Sequence, residues 1–131
     1  VDFQSFLANG QVSVAFGTTY EALPEGFKTI RRHDIDKASG AFALYPDGIE
    51  LLFEDGRLCL VQYEIARLGT LRLAGNIITG RTSLQDFKGY LDALRISYTE
   101  CTQDDQQILV TTQHVKIYFE NGMFATALKS W

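Results

Sequence analysis

The chain has 131 residues, 46% of them hydrophobic and 21% charged, with a formal net charge of −4. These are ordinary globular proportions, and they exclude disorder, collagen or coiled coil as a description of the whole chain. A pI near 5.1 argues against a general nucleic-acid binder, which needs a basic face to neutralise phosphates, and no apolar run reaches the roughly 20 residues of a membrane-spanning helix.

A helix is expected over Asp2 to Ala8, with Phe3, Phe6 and Leu7 as its apolar stripe. Thr18 or Thr19 caps a short turn through Tyr20 and Leu23, stopped by Pro24 and Gly26. Phe27 to Arg32 reads as a first strand, followed by a polar loop over Asp34 to Gly40. Ala41 to Tyr45 is the next strand, ending at a Pro46-Asp47-Gly48 turn. Gly69 to Thr82 holds Leu71, Leu73, Ile77 and Ile78, which suggest a short extra strand or a buried crossover. Ser83 to Arg95 is the clearest helix: Leu84, Phe87, Leu91 and Leu94 share one face, and Ser83 with Asp86 resembles a capping box. Strands at Ile96 to Cys101 and Gln107 to Thr112 follow, around a polar loop at Thr102 to Gln106.

An internal repeat organises the chain. Gly48-Ile-Glu-Leu-Leu-Phe-Glu-Asp-Gly56 aligns without a gap on His114-Val-Lys-Ile-Tyr-Phe-Glu-Asn-Gly122. Asp55-Gly56 and Asn121-Gly122 are strong two-residue hairpin signals, because both central residues of a type I′ turn need positive φ. The strands after the turns are Arg57 to Tyr63 and Met123 to Lys129. The first turn is expected to set Glu54 opposite Arg57, Phe53 opposite Leu58, Leu52 opposite Cys59 and Leu51 opposite Leu60. The second sets Glu120 opposite Met123, Phe119 opposite Phe124, Tyr118 opposite Ala125 and Ile117 opposite Thr126. With period-two alternation, Ile49, Leu51, Phe53, Leu58 and Leu60 form one core face, matched by Val115, Ile117, Phe119, Phe124 and Leu128. The other face carries Glu50, Glu54 and Arg57 among Leu52, Val61 and Tyr63; its counterpart carries Lys116 and Glu120 among Tyr118, Ala125 and Ala127. The expected fold is α+β: one domain over 1–131, two α-ββββ repeats at about 16–66 and 80–129, one mostly antiparallel sheet, and helices on one face.

No catalytic pattern stands out. His33-Asp34-Ile35-Asp36 is one loop of potential ligands, short of the several converging groups a metal needs. His114 falls at a turn. Cys59 and Cys101 form no CxxC pair and read as reduced structural thiols, and the strand position of Cys59 predicts a raised thiol pKa. There is no GxSxG elbow, GxGxxG loop or Walker pattern, and Gly17-Thr-Thr and Gly80-Arg-Thr-Ser read as turns with caps. No enzyme, metal or cofactor is expected.

Charge distribution says more. Residues 1–65 hold five Lys and Arg against ten Asp and Glu, a net of −5; residues 66–131 hold seven against six, a net of +1. The negative balance belongs to the first repeat. An acidic, partly apolar sheet face suits a basic protein partner, and the expected partner-binding residues are Asp47, Glu50, Leu52, Glu54, Asp55, Arg57, Tyr63 and Glu64.

The pattern also resembles a family. Phe16-Gly-Thr-Thr, then Leu44-Tyr-Pro-Asp-Gly-Ile-Glu-Leu-Leu-Phe with Gly56-Arg-Leu, resembles small bacterial immunity-type proteins associated with polymorphic and contact-dependent toxins. Thr82-Ser-Leu-Gln-Asp-Phe and Val115-Lys-Ile-Tyr-Phe resemble that family's downstream copy, so the likeness covers about residues 16–64 and 82–128. It implies a cytoplasmic protein that binds and neutralises a cognate toxin domain, and it carries over no residue roles. Two other readings stay open: an acidic secretion chaperone, although such chains usually finish on a helix and this one finishes on a strand, and a ligand-binding protein or enzyme with a pocket between sheet and helices. Nucleic-acid and membrane partners are not expected, no targeting signal is visible, and the oligomeric state is open.

Overall fold

The computed structural model describes residues 2–131. Helix α1 spans Phe3–Asn9. The Asp2 carboxylate accepts the Ser5 N–H at 2.7 Å, satisfying one of the helix's free amides. Gly10 ends the helix in the left-handed region at φ 65, where its N–H reaches the Phe6 carbonyl. Phe3, Phe6 and Leu7 are buried as one stripe. Helix α4, Leu84–Ala93, starts where the Ser83 hydroxyl accepts the Asp86 N–H at 3.1 Å, and it buries Leu84, Phe87 and Leu91.

Between them lie two single-turn helices, α2 (Glu25–Lys28) and α3 (Ile65–Leu68), and the described residues form ten strands, six before α4 and four after it. Eight strands make one antiparallel sheet: β1 (His33–Asp36), β2 (Ala41–Leu44), β3 (Glu50–Glu54), β4 (Arg57–Glu64), β7 (Tyr98–Gln103), β8 (Gln106–Thr111), β9 (Lys116–Glu120) and β10 (Met123–Ser130). Their spatial order is β1-β2-β3-β4-β10-β9-β8-β7. The remaining pair, β5 (Leu71–Leu73) and β6 (Asn76–Ile78), is a separate hairpin. It buries Leu73 and Ile78 and lies beside α1, where the Gln4 side chain accepts the Ala74 N–H. The fold is α+β, as the patterning of the sequence implies.

The order of the main sheet reads alike from either edge. At its centre β4 pairs with β10, with Tyr63 opposite Ala127, Gln62 opposite Leu128 and Val61 opposite Lys129. The turns Asp55-Gly56 and Asn121-Gly122 both have positive φ at both residues, and both hairpins start as the turn dictates. Just upstream, Thr19 bridges Arg57 and Ser83 bridges Met123, so each hairpin is docked by the segment that enters the next helical turn. The correspondence stops at those turns. Where α4 runs three turns, the first half has only a 3-10 turn at Tyr20–Ala22 and the short α2.

Several details depart from the sequence reading. Phe27 to Arg32 is not a strand: Pro24 begins α2, and the edge strand β1 starts at His33, inside the segment expected to be a loop. All four β1 residues are exposed, so a period-two apolar signal is absent. The second candidate first strand begins at Tyr98, and it extends to Gln103 through the segment expected as a loop, turning at Asp104-Asp105. Ile96 is buried at the end of α4, its N–H bonded to the Leu91 carbonyl.

The largest departure is in register. Phe53 lies opposite Leu58, but Leu52 lies opposite Leu60 and Leu51 opposite Val61. Cys59 is an extra residue in β4, a bulge. Ala125 is the extra residue in β10, since Phe119 lies opposite Phe124 but Tyr118 opposite Thr126 and Ile117 opposite Ala127. One inserted residue moves everything beyond it to the other face. Val61, Tyr63 and Ala127 are therefore core, and Leu60 and Leu128 lie on the outer face, the reverse of the simple alternation.

The core lies between the sheet and the layer of α1, α4 and β5–β6. Phe87 sits amid Phe3, Phe119 and Phe124, with ring centroids 6.4, 5.4 and 5.1 Å away. In the other half Phe42 stacks on Phe53 at 5.0 Å, with Tyr20 edge-on to both. The Arg32 guanidinium caps this stack 3.7 Å from the Phe42 ring, a cation–π contact.

Candidate functional face

The helix side of the sheet packs into the core, which leaves the opposite face as the candidate surface for a partner. Pairing defines three rows of side chains across it. Ala43, Leu52, Leu60 and Ser130 form the first row. Glu50, Gln62, Leu128, Lys116 and Val110 form the second. Glu64, Thr126, Tyr118, Ile108 and Cys101 form the third. Leu52, Leu60, Leu128, Val110 and Tyr118 are each only partly covered. The result is an apolar strip with carboxylates at its first-half end.

Of the eight residues expected to bind a partner, Glu50, Leu52 and Glu64 lie together on this face. Glu54 and Arg57 share the same face at the hairpin end. The Arg57 guanidinium donates to the Gly17 carbonyl at 2.9 Å, which ties it to the entering segment. Asp55 is exposed at the turn tip with φ 52. Asp47, also at φ 52, sits in the 3-10 turn Pro46–Gly48, away from the strip, beside a shallow depression of about 430 Å³ lined by Pro24, Phe27, Ile30 and Tyr45.

Tyr63 does not belong to the face. It is 3% exposed on the core side, with its ring 5.2 Å from Phe3 and 4.6 Å from Phe6. The Cys59 bulge put it there. Burial, with the Asp2 carboxylate adding to it, pushes its phenol up to about 12.

Besides Tyr118, the outer face carries Tyr45. Its hydroxyl donates to Glu50 Oε1 at 3.1 Å, the Arg67 guanidinium lies 3.8 Å over its ring, and His33 meets it edge-on at 5.1 Å. Burial and the Glu50 charge raise the Tyr45 phenol above its ordinary value. Leu60, Leu128, Tyr45 and Arg67 were not foreseen. The first two needed the bulges, and the last two come from separate segments whose approach has no local signal.

Along the seam of β4 and β10, Gln62, Glu64, Thr126, Glu120 and Asn121 border an open cleft of about 590 Å³ with Ile65, Met123 and Ala125 as its apolar wall. The Thr126 hydroxyl is spent on the Tyr63 carbonyl at 3.0 Å.

The thiols are unpaired. Cys59 is half-buried, its Sγ 3.4 Å from the Leu52 carbonyl, and burial with the nearby Glu54 charge raises its pKa. Cys101 is exposed on β7. His114 is a turn residue at φ 64. Among the described residues, no three His, Cys, Asp or Glu side chains gather where they could hold a metal ion, and no helix is long and apolar enough to cross a membrane. Comparison with protein-family profiles, curated proteins and solved structures finds no match to the chain.

Proposed function

We propose that this protein is a non-catalytic binding protein, an immunity-type inhibitor that acts in the cytoplasm by docking a basic toxin domain on its open sheet face. The observation that carries the reading is the strip Leu52, Leu60 and Leu128 with Glu50, Glu54 and Glu64 beside it. Half-covered leucines on a rigid sheet supply area that a partner removes from water, at about 25 cal/mol per Å² of apolar surface. The carboxylates steer a cationic partner to that area and reject acidic ones. Tyr45, pinned by Glu50 and Arg67, is an aromatic whose position is already set before binding.

The test is affinity capture from the native host with the wild-type chain as bait, then calorimetry of the captured protein against wild type and Leu52→Asp. The reading expects a basic partner whose affinity falls at least tenfold with Leu52→Asp and weakens with salt. A partner bound equally by both chains, or one indifferent to salt, overturns it.

A further inference from the structure

The two ends of the eight-stranded sheet differ in a way that calls for a second copy of the chain. An unpaired edge strand is a template for association, and proteins blunt such edges with short length, bulges, charge or proline. Strand β1 is blunted: it has four residues, a register shift between Asp34 and Asp36, and two carboxylates. Strand β7 has none of these devices. Its six residues Tyr98-Thr-Glu-Cys-Thr-Gln103 pair with β8 without a shift, from Tyr98 opposite Thr111 to Gln103 opposite Gln106. It contains no proline, and its one charge, Glu100, is paired with the Lys88 ammonium of α4. The edge is regular, exposed and locally neutral.

Backbone direction can be read from one bond. The Thr112 N–H donates to the Ser97 carbonyl at 3.2 Å, continuing the β7–β8 ladder. Alternation along an antiparallel ladder then turns Thr99, Cys101 and Gln103 towards β8. It leaves the N–H and C=O of Tyr98, Glu100 and Thr102 pointing outward. We propose that β7 pairs antiparallel with β7 of a second copy, about a two-fold axis at Cys101, to form a homodimer with one continuous sheet. In this register Glu100 exchanges both backbone bonds with the second copy's Thr102, and its Thr102 does so with Glu100. A two-fold shifted to Glu100 would oppose two carboxylates, and pairing with β1 would bring Glu100 towards Asp34 and Asp36; both are disfavoured by like charge. The axis stands normal to the sheet, so both copies keep their helices on one side and their outer faces on the other. The dimer is independent of the function proposed above.

The register makes its own reporter. Cys101 opposes Cys101 in a pair without mutual backbone bonds, whose Cα atoms lie about 4.5 Å apart, within disulfide reach. Diamide should join them: one S–S bond forms, and the two thiol protons and two electrons reduce the diazene to the hydrazine. Sedimentation equilibrium should give a mass rising with concentration towards twice 14.7 kDa, and peptide mapping of the oxidised dimer should find the Cys101–Cys101 link. In a Cys101→Ser chain, Thr99→Cys alone should not cross-link, whereas Thr99→Cys with Gln103→Cys should. Thr102→Pro removes an outward N–H while leaving the β8 ladder intact, and Cys101→Lys opposes two ammonium groups on an exposed position. Each should yield a folded monomer by circular dichroism and sedimentation, and Cys101→Lys decides the matter if Thr102→Pro unfolds. A monomer up to millimolar concentration, or a dimer that survives Cys101→Lys, overturns the proposal.

Discussion

Replacing Tyr63 with Phe isolates the consequence of the Cys59 bulge. The ring contacts with Phe3 and Phe6 remain, and only the hydroxyl is lost. In the folded chain the phenol is raised from an ordinary 10 to about 12. An unfolded chain therefore releases this proton near pH 10 while the folded chain holds it. The stability associated with the neutral phenol is fully present below pH 10 and is lost as pH rises from 10 to 12. Two decades of proton affinity at about 1.4 kcal/mol each amount to about 3 kcal/mol. Urea unfolding of wild type and Tyr63→Phe, followed by fluorescence from neutral pH to about pH 12, should give stabilities separated by a constant amount up to pH 10. Above it, wild type should fall relative to the variant by up to that figure. Ionisation of the other tyrosines is common to both chains and cancels. Stabilities that stay parallel through the alkaline range would refute the buried placement, and with it the bulge.

Phe87 is fully buried against three rings, so Phe87→Ala should cost about 3–5 kcal/mol in chemical unfolding. Asp2→Ala should cost about 1 kcal/mol. The Ser5 N–H holds the Asp2 carboxyl below its usual range, so the cap's contribution is present above that range and is lost as pH falls through the lowered value; thermal midpoints of the two chains should converge in acid. Gly56→Ala and Gly122→Ala place a Cβ at φ 73 and 75 in left-handed turns, and each should lower stability by about 1–2 kcal/mol, measured by the same unfolding assay.

Local rules were legible where one residue dominates. Asp-Gly and Asn-Gly set both turns, and Ser83 with the Leu84, Phe87 and Leu91 stripe marked α4. The bulges were not legible, because Cys59 and Ala125 carry no conformational signature and the strands stay apolar on both sides of them. That single omission moved Tyr63 from the outer face to the core and hid Leu60 and Leu128. Strand β1 escaped because it is an exposed edge, held by pairing to β2 and by no apolar stripe. For the candidate face, Glu50, Leu52 and Glu64 were found because they lie close to the hairpin turn or to the chain pattern of charge. Tyr45 and Arg67 needed the tertiary approach of β2 to α3.

In the proposed function the outer sheet face, and not the helical side, meets a basic protein. The most direct test of this is amide hydrogen exchange of the chain with and without the protein captured from its host. Added protection is expected in β3, β4 and β10, together with at least tenfold weaker binding by Glu50→Lys with Glu64→Lys and little change with Glu21→Lys and Glu25→Lys. Protection confined to α1 and α4, with binding indifferent to Glu50 and Glu64, would contradict it.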